Sequence, residues 1–283
     1  LAVTYPEIAD MQTRAVIKAA LNINAKHPDW KIVPEIMIPL VGEIKELAFV
    51  KKVVVETADA LIAAAGSKMK LIIRGGVGVD NIDVKYAEEK GMTVRNTPCA
   101  SSASVAELAL AHMFACSRYV AISNFTMRQD KWEKKNYAKG TEIAGETVGI
   151  IGFGRIGQEL GKMCKALGMT VLVTGRTVKP ELEEKYGVKY VTMDELLAQS
   201  DFVSLHTPAL GDKPFVDAEC IAKMKDGAIL INTSRGKNVD EQALLDALTS
   251  GKLRGAGLDV WFEEPTANHD LYCHPAVSCT PHI

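Results

Sequence analysis

One stretch constrains this chain more than any other: Val148-Gly149-Ile150-Ile151-Gly152-Phe153-Gly154-Arg155-Ile156-Gly157. An apolar strand-like run ends in Gly-x-Gly-x-x-Gly, and a helical pattern follows from Gly157 to Leu167. That order is the context in which the glycines signify a β-α-β unit around a dinucleotide. Gly152 allows a tight turn, Gly154 lets backbone N–H groups approach a pyrophosphate, and Gly157 lets the helix lie close to the sheet. The helix N-terminus at Arg155 and Ile156 favours the negative charge. Strand patterns recur at 170–174, 202–205, 229–232, 255–260 and 277–280, with helical patterns at 193–198 and 241–250 between them. Such alternation calls for a doubly wound parallel (Rossmann) sheet covered by helices on both faces, an α/β fold.

Composition narrows the function. Of 283 residues 47% are hydrophobic and 24% charged, values of a chain with a real core rather than a disordered or collagen-like one. A net charge of −2 gives no field for nucleic acid or anionic lipid, so neither is expected as a partner. No apolar run approaches the roughly 20 residues of a membrane span. The start, Leu-Ala-Val-Thr-Tyr-Pro-Glu, lacks the basic and apolar regions of an export signal, which favours a cytoplasmic location, and it reads as internal to a longer chain. Six cysteines form no Cys-x-x-Cys pair and have no zinc-like histidine spacing, so reduced thiols and no metal are expected.

The strand after the glycine helix, Val171 to Thr174, runs into Gly175-Arg176-Thr177, and no acid occurs from Gly161 through Lys179. A site built for NAD(H) places an acid there for the ribose 2′-hydroxyl. Arg176 instead suits a 2′-phosphate, with Thr174 and Thr177 as further donors, so NADP(H) is favoured among the nicotinamide cofactors.

Four further stretches complete a pattern: Ser104-Val105-Ala106-Glu107-Leu108, Ile231-Asn232-Thr233-Ser234-Arg235-Gly236, Gly257-Leu258-Asp259-Val260-Trp261-Phe262-Glu263-Glu264-Pro265 and Thr280-Pro281-His282-Ile283. With the glycine loop they resemble the D-isomer-specific 2-hydroxyacid dehydrogenases, the phosphoglycerate dehydrogenase branch in particular, from about residue 70 onward. The resemblance implies hydride transfer between a nicotinamide and a 2-hydroxy or 2-oxo acid. Arg235 matches the substrate-binding arginine and His282 the acid/base. Glu264, rather than its neighbour Glu263, matches the acid that orients the histidine. Backbone groups of Val77 and Gly78 match a carboxylate cradle. Asp259, Thr207, Pro208, Thr233 and Ser104 (with Ser101) match cofactor-side positions. The resemblance also implies a homodimer built through residues 101–128. Wording at 74–83 and 131–140 favours 3-phosphoglycerate as substrate, whereas 174–177 is similar to reductases of glyoxylate and hydroxypyruvate. His112 is expected to pack or to lie in an interface, and His206, His269 and His274 to be structural or solvated.

Residues 1–70 read differently. Helical spacing covers 11–25 and 43–65, with a buried-strand pattern at 32–40. The wording Leu1 to Glu7, Met11 to Ala15, Pro34 to Gly42 and Val53 to Ala58 resembles part of the C-terminal barrel of pyruvate phosphate dikinase. The expected division is therefore 1–70 as a barrel-like fragment, 71–95 as a remnant of a substrate lobe, and 96–283 as the dinucleotide domain. Two expectations follow. Strand 71–73 should lack its usual sheet neighbours, and a closing helix after His282 should be missing. The competing readings are a dinucleotide-binding remnant with little or no turnover and, more weakly, a phosphoenolpyruvate-related phosphotransferase in residues 1–70.

Overall fold

The computed structural model describes residues 6–27, 70–79, 82–89, 91–209, 211 and 213–283, and the chain divides into two compact units, Leu1–Ser101 and Ser102–Ile283. The strand expected at 32–40 and the helix expected at 43–65 lie outside the described residues.

In the first unit α1 spans Pro6–Lys26 and starts earlier than its apolar spacing suggests. Thr13, Ile17 and Ala20 form its buried stripe, three and four residues apart. Strand β1 (Leu71–Arg74) pairs in parallel with β2 (Thr93–Asn96) over four positions, and α2 (Val84–Glu89) makes the crossover. The strand expected to lack neighbours thus has one. The turn after β1 needs Gly76, whose φ is 140° and whose N–H donates to Thr97 Oγ1 at 2.8 Å. Asn96 Nδ2 donates to the Val77 carbonyl at 2.6 Å, which fixes the turn carrying Val77 and Gly78.

The second unit is built on seven parallel strands: β3 (Thr147–Ile151), β4 (Thr170–Thr174), β5 (Lys189–Tyr190), β6 (Phe202–Leu205), β7 (Ala228–Asn232), β8 (Leu253–Leu258) and β9 (Val277–Cys279). Their order is β5-β4-β3-β6-β7-β8-β9, so the winding reverses between β3 and β6. At such a reversal the loops leaving the two strands part and open a crevice at their carboxyl ends. The helices are α3 (Ser102–Ser117), α4 (Val120–Met127), α5 (Lys134–Tyr137), α6 (Arg155–Ala166), α7 (Pro180–Tyr186), α8 (Met193–Gln199), α9 (Ala218–Lys223), α10 (Glu241–Ser250) and α11 (His269–Tyr272).

Both faces of the sheet are covered, which is why β6 and β7 are buried at every position and mostly apolar. On β7, Ile229 and Ile231 join a core with Val148, Ile150, Leu160 and Met113 under α3 and α6. Leu230, between them, points the other way into a core with Leu205, Leu244 and Leu258. Helix α3 comes close to β8 because that strand offers glycine: a Cβ at Gly257 would stand 2.5 Å from the Cβ of His112.

Two differences from the sequence pattern stand out. The Ala-rich pattern from Ser101 to Tyr119 predicts one long helix, but the observed helix ends at Ser117, whose hydroxyl donates back to the Met113 carbonyl at 2.8 Å. Tyr119 then takes a left-handed φ of 55°, and α4 sets off at 66° to α3. Short helices α7, α9 and α11 carry no strong apolar period and escape pattern reading. Among the described residues no single helix is long and apolar enough to cross a membrane.

Candidate active site

The crevice is lined first by the glycine loop. Gly152 has φ 97° and its N–H donates to the Thr174 carbonyl at 2.9 Å, tying the loop to the end of β4. A Cβ there would lie 2.6 Å from the His206 carbonyl, so the loops after β3 and β6 touch at this glycine. A Cβ at Gly157 would strike the Gly152 carbonyl, and this contact sets how closely α6 approaches the turn. Gly154 is different: a Cβ there meets nothing within 4 Å. It is exposed, as is Arg155, while Ile156 is half-buried. Helix α6 has no side-chain cap, so its first N–H groups face open space with the positive end of the helix dipole behind them.

The neighbouring strand ends add the remaining cofactor-side positions. Thr174 is half-buried, and Gly175, Arg176 and Thr177 are exposed at the end of β4. Thr207 is half-buried after β6, and Pro208 beside it is exposed. Thr233, after β7, is buried, and among the described residues its hydroxyl has no hydrogen-bond partner, nor has Nδ1 of His206. Burial pushes the His206 imidazole down to about 4, so it is neutral. An orphaned buried hydroxyl after β7 and an open, uncapped helix end after β3, on the carboxyl side of one sheet, fit a dinucleotide. Ser104 lies exposed near the start of α3, which packs on α6.

Two asparagines that no motif singled out hold the loops together. Asn232 Oδ1 accepts from the Ser234 N–H at 3.1 Å and hydroxyl at 2.8 Å, while its Nδ2 donates to the Arg235 carbonyl at 2.9 Å. Asn238 Nδ2 donates to the Thr207 carbonyl at 3.2 Å, joining the loops after β6 and β7. Gly236 then lies against the Trp261 carbonyl so closely that no Cβ fits, which brings the Arg235 loop beside the loop after β8.

The three residues matched to chemistry converge here. His282 Nδ1 is 2.7 Å from Glu264 Oε2, and Glu264 Oε1 accepts from the Trp261 N–H at 3.1 Å. The hydrogen bond to Glu264 holds the His282 imidazolium above the usual histidine range, against burial and the Arg235 charge. Burial pushes the Glu264 carboxyl up, but its bonds from His282 and Trp261 and the Arg235 charge outweigh that, and the net shift is downward. Arg235 thus acts on both partners. Glu263 is exposed, without such a contact. Asp259 is buried, and its Oδ1 accepts from the Thr280 hydroxyl at 2.7 Å and the Ile283 N–H at 3.0 Å, clamping the turn that carries His282. Val77 and Gly78 belong to the first unit, in the turn after β1. Among the described residues no group of three histidines, cysteines or acids could hold a metal ion.

Residues 110–283 match the family model for the D-isomer specific 2-hydroxyacid dehydrogenase, NAD binding domain. The chain belongs to the D-isomer-specific 2-hydroxyacid dehydrogenases. A hydroxypyruvate reductase of Thermotoga maritima is 42% identical over 94% of this chain and 85% of its own length. A D-3-phosphoglycerate dehydrogenase of Mycobacterium bovis is 40% identical over 80% of this chain, which spans only 43% of that protein. Among solved structures, a glyoxylate reductase from Paecilomyes thermophila superposes with a TM-score of 0.70 at 40% identity, over 76% of this chain and 65% of that one.

These findings correct one expectation. The likeness of residues 1–70 to the dikinase barrel is not borne out, because an alignment covering 94% of this chain must run well into those residues. Short matching words misled there, whereas the dehydrogenase similarity is continuous. With the family comes a nicotinamide cofactor, for which the open helix end and the orphaned Thr233 hydroxyl are suited.

Proposed function

We propose that the protein interconverts a short 2-oxo acid and its D-2-hydroxy acid, of the hydroxypyruvate, glyoxylate or 3-phosphoglycerate type, with NADP(H) preferred. The observation that carries this is the His282–Glu264 pair with the Arg235 charge acting on both, at the same strand ends as the open glycine loop. A bound nicotinamide supplies or takes the hydride. The chain's own groups do the rest. Arg235 presents a forked cation to the substrate carboxylate and its adjacent carbonyl. Glu264 occupies Nδ1 of His282 and leaves Nε2 to give a proton to the carbonyl oxygen during reduction, or to accept the hydroxyl proton during oxidation. The exposed Arg176 and Thr177, with no acid nearby in sequence, support the NADP(H) preference. Exposed apolar side chains on and after α4 (Val120, Phe125, Met127 and Trp132) support pairing with a second copy.

The test follows loss of reduced-cofactor absorbance with hydroxypyruvate, glyoxylate and phosphohydroxypyruvate, using NADPH and NADH in turn. Turnover that His282→Ala reduces about 100-fold or more, with cofactor binding kept, is the expected result. Cofactor binding without turnover on any of these acids would leave a dinucleotide-binding protein and end the enzymatic reading.

A further inference from the structure

Behind the turn of His282 lies a buried histidine that this chemistry does not use. His112, on α3, is 3% exposed. Its Nδ1 is 2.9 Å from Ser278 Oγ and its Nε2 is 3.1 Å from Thr280 Oγ1. Thr280 Oγ1 in turn reaches Asp259 Oδ1 at 2.7 Å, and the Trp261 indole N–H donates to the Thr280 carbonyl at 3.2 Å. A carboxylate only accepts, so the Thr280 hydroxyl proton is committed to Asp259. The Thr280 oxygen must then accept from His112, which puts the ring proton on Nε2. Nδ1 is left bare and accepts from the Ser278 hydroxyl. The chain runs one way, from Ser278 through His112 and Thr280 to Asp259.

That direction requires a neutral ring, and burial holds His112 below the usual histidine range against the pull of Asp259. Asp259 also takes the Ile283 N–H, so residues on both sides of His282 hang from one carboxylate. His282 itself has a φ of 58°. A residue with a side chain keeps that left-handed conformation when its surroundings enforce it.

We propose that His112 is a positioning residue for His282: through Thr280 and Asp259 it fixes the turn that holds the His282 imidazole against Glu264 and aims Nε2 into the crevice. This rests on the reading of His282 as acid/base. The charged groups facing His282 are Glu264 and Asp259 around the end of β8 and Arg235 after β7. Among the described residues, Asp259 is the charged group that acts on His112.

Three substitutions separate positioning from packing. His112→Gln can place an amide N–H where Nε2 stood and keep the bond to Thr280. His112→Asn reaches only toward Ser278, and His112→Leu fills space without either bond. We expect Gln to retain kcat, and Asn and Leu to lose roughly 10- to 100-fold in kcat with substrate KM little changed, since Arg235 is untouched. Histidine ring NMR on the full chain gives a readout free of turnover. The wild-type His112 proton should sit on Nε2, and the His282 titration midpoint should fall in the Asn and Leu variants but not in Gln. Thr280→Val removes the hub hydroxyl alone, and serves if His112→Leu does not fold. A His112 proton on Nδ1, or an unmoved His282 midpoint in Asn, Leu and Thr280→Val, overturns the proposal. Equal losses in all three His112 variants do so too. If the wild type shows no turnover, the enzymatic reading fails by itself, and the His282 midpoints still decide the positioning claim.

Discussion

Replacing Glu264 by Gln removes one charge and keeps the shape of the side chain. In the native site Oε1 accepts from the Trp261 N–H at 3.1 Å and Oε2 takes His282 Nδ1 at 2.7 Å. The glutamine oxygen keeps the Trp261 bond only if the amide nitrogen turns to His282. Nδ1 must then accept, its proton moves to Nε2, and the imidazolium loses its partner. A charge-assisted hydrogen bond contributes about 1.5–3 kcal/mol. The His282 side chain is 51% exposed, so solvent screening brings that to roughly 1–2 kcal/mol, or about 5- to 30-fold in rate. The sign with pH follows from the raised His282 value. Reduction needs the protonated ring, so its rate is level at low pH and falls as pH rises through that value; oxidation shows the reverse. Glu264→Gln should lower kcat for hydroxypyruvate or glyoxylate reduction and move the alkaline limb toward acid, with NADPH affinity unchanged. Stopped-flow rates across a pH series, beside a cofactor titration by fluorescence, measure both. An unaltered pH profile in a folded variant would refute the reasoning. So would a loss confined to cofactor affinity.

Further outcomes follow from the same geometry. Arg176→Ser should raise the Kd for NADPH about tenfold and leave NADH unchanged, the low end for an exposed phosphate contact; equal effects on both would remove Arg176 from the specificity argument. Gly157→Ala drives a Cβ into the Gly152 carbonyl, so it should cost about 1–3 kcal/mol of stability and weaken both cofactors together, read by thermal unfolding and fluorescence titration. Leu230→Ala empties a fully buried site on the face away from the α6 core and should cost about 2–5 kcal/mol in denaturant unfolding, with cofactor affinity kept in the fraction that stays folded.

What the sequence makes legible is local. Strands β3, β4 and β7 are near-continuous apolar runs that give way to Gly152, Thr174 and Asn232, and a parallel sheet covered on both faces produces that text. The glycine loop is legible for a related reason: Gly152 answers a left-handed turn and Gly157 a close approach of the helix, while Gly154 leaves open space between them. The break between α3 and α4 is not, since it falls on Tyr119 in a left-handed conformation with neither glycine nor proline to mark it. The resemblance already selects Glu264 over Glu263, and the 2.7 Å contact with His282, 18 residues on, is what the structure adds.

Long-range bonds were beyond any pattern. His112 meets Ser278 and Thr280 across 166 and 168 residues, and its place on an apolar helix face reads as ordinary packing. Asn238 reaches the Thr207 carbonyl 31 residues back, and it is this bond that joins the loops beneath the crevice. Motifs therefore name the groups that face the ligand, because those chemistries tolerate few residue types. The groups that aim them can be any donor or acceptor with the right geometry, so they leave no fixed spelling. His112 is such a case: what the turn needs from it is one N–H at Thr280, which is why a glutamine should replace it and a leucine should not.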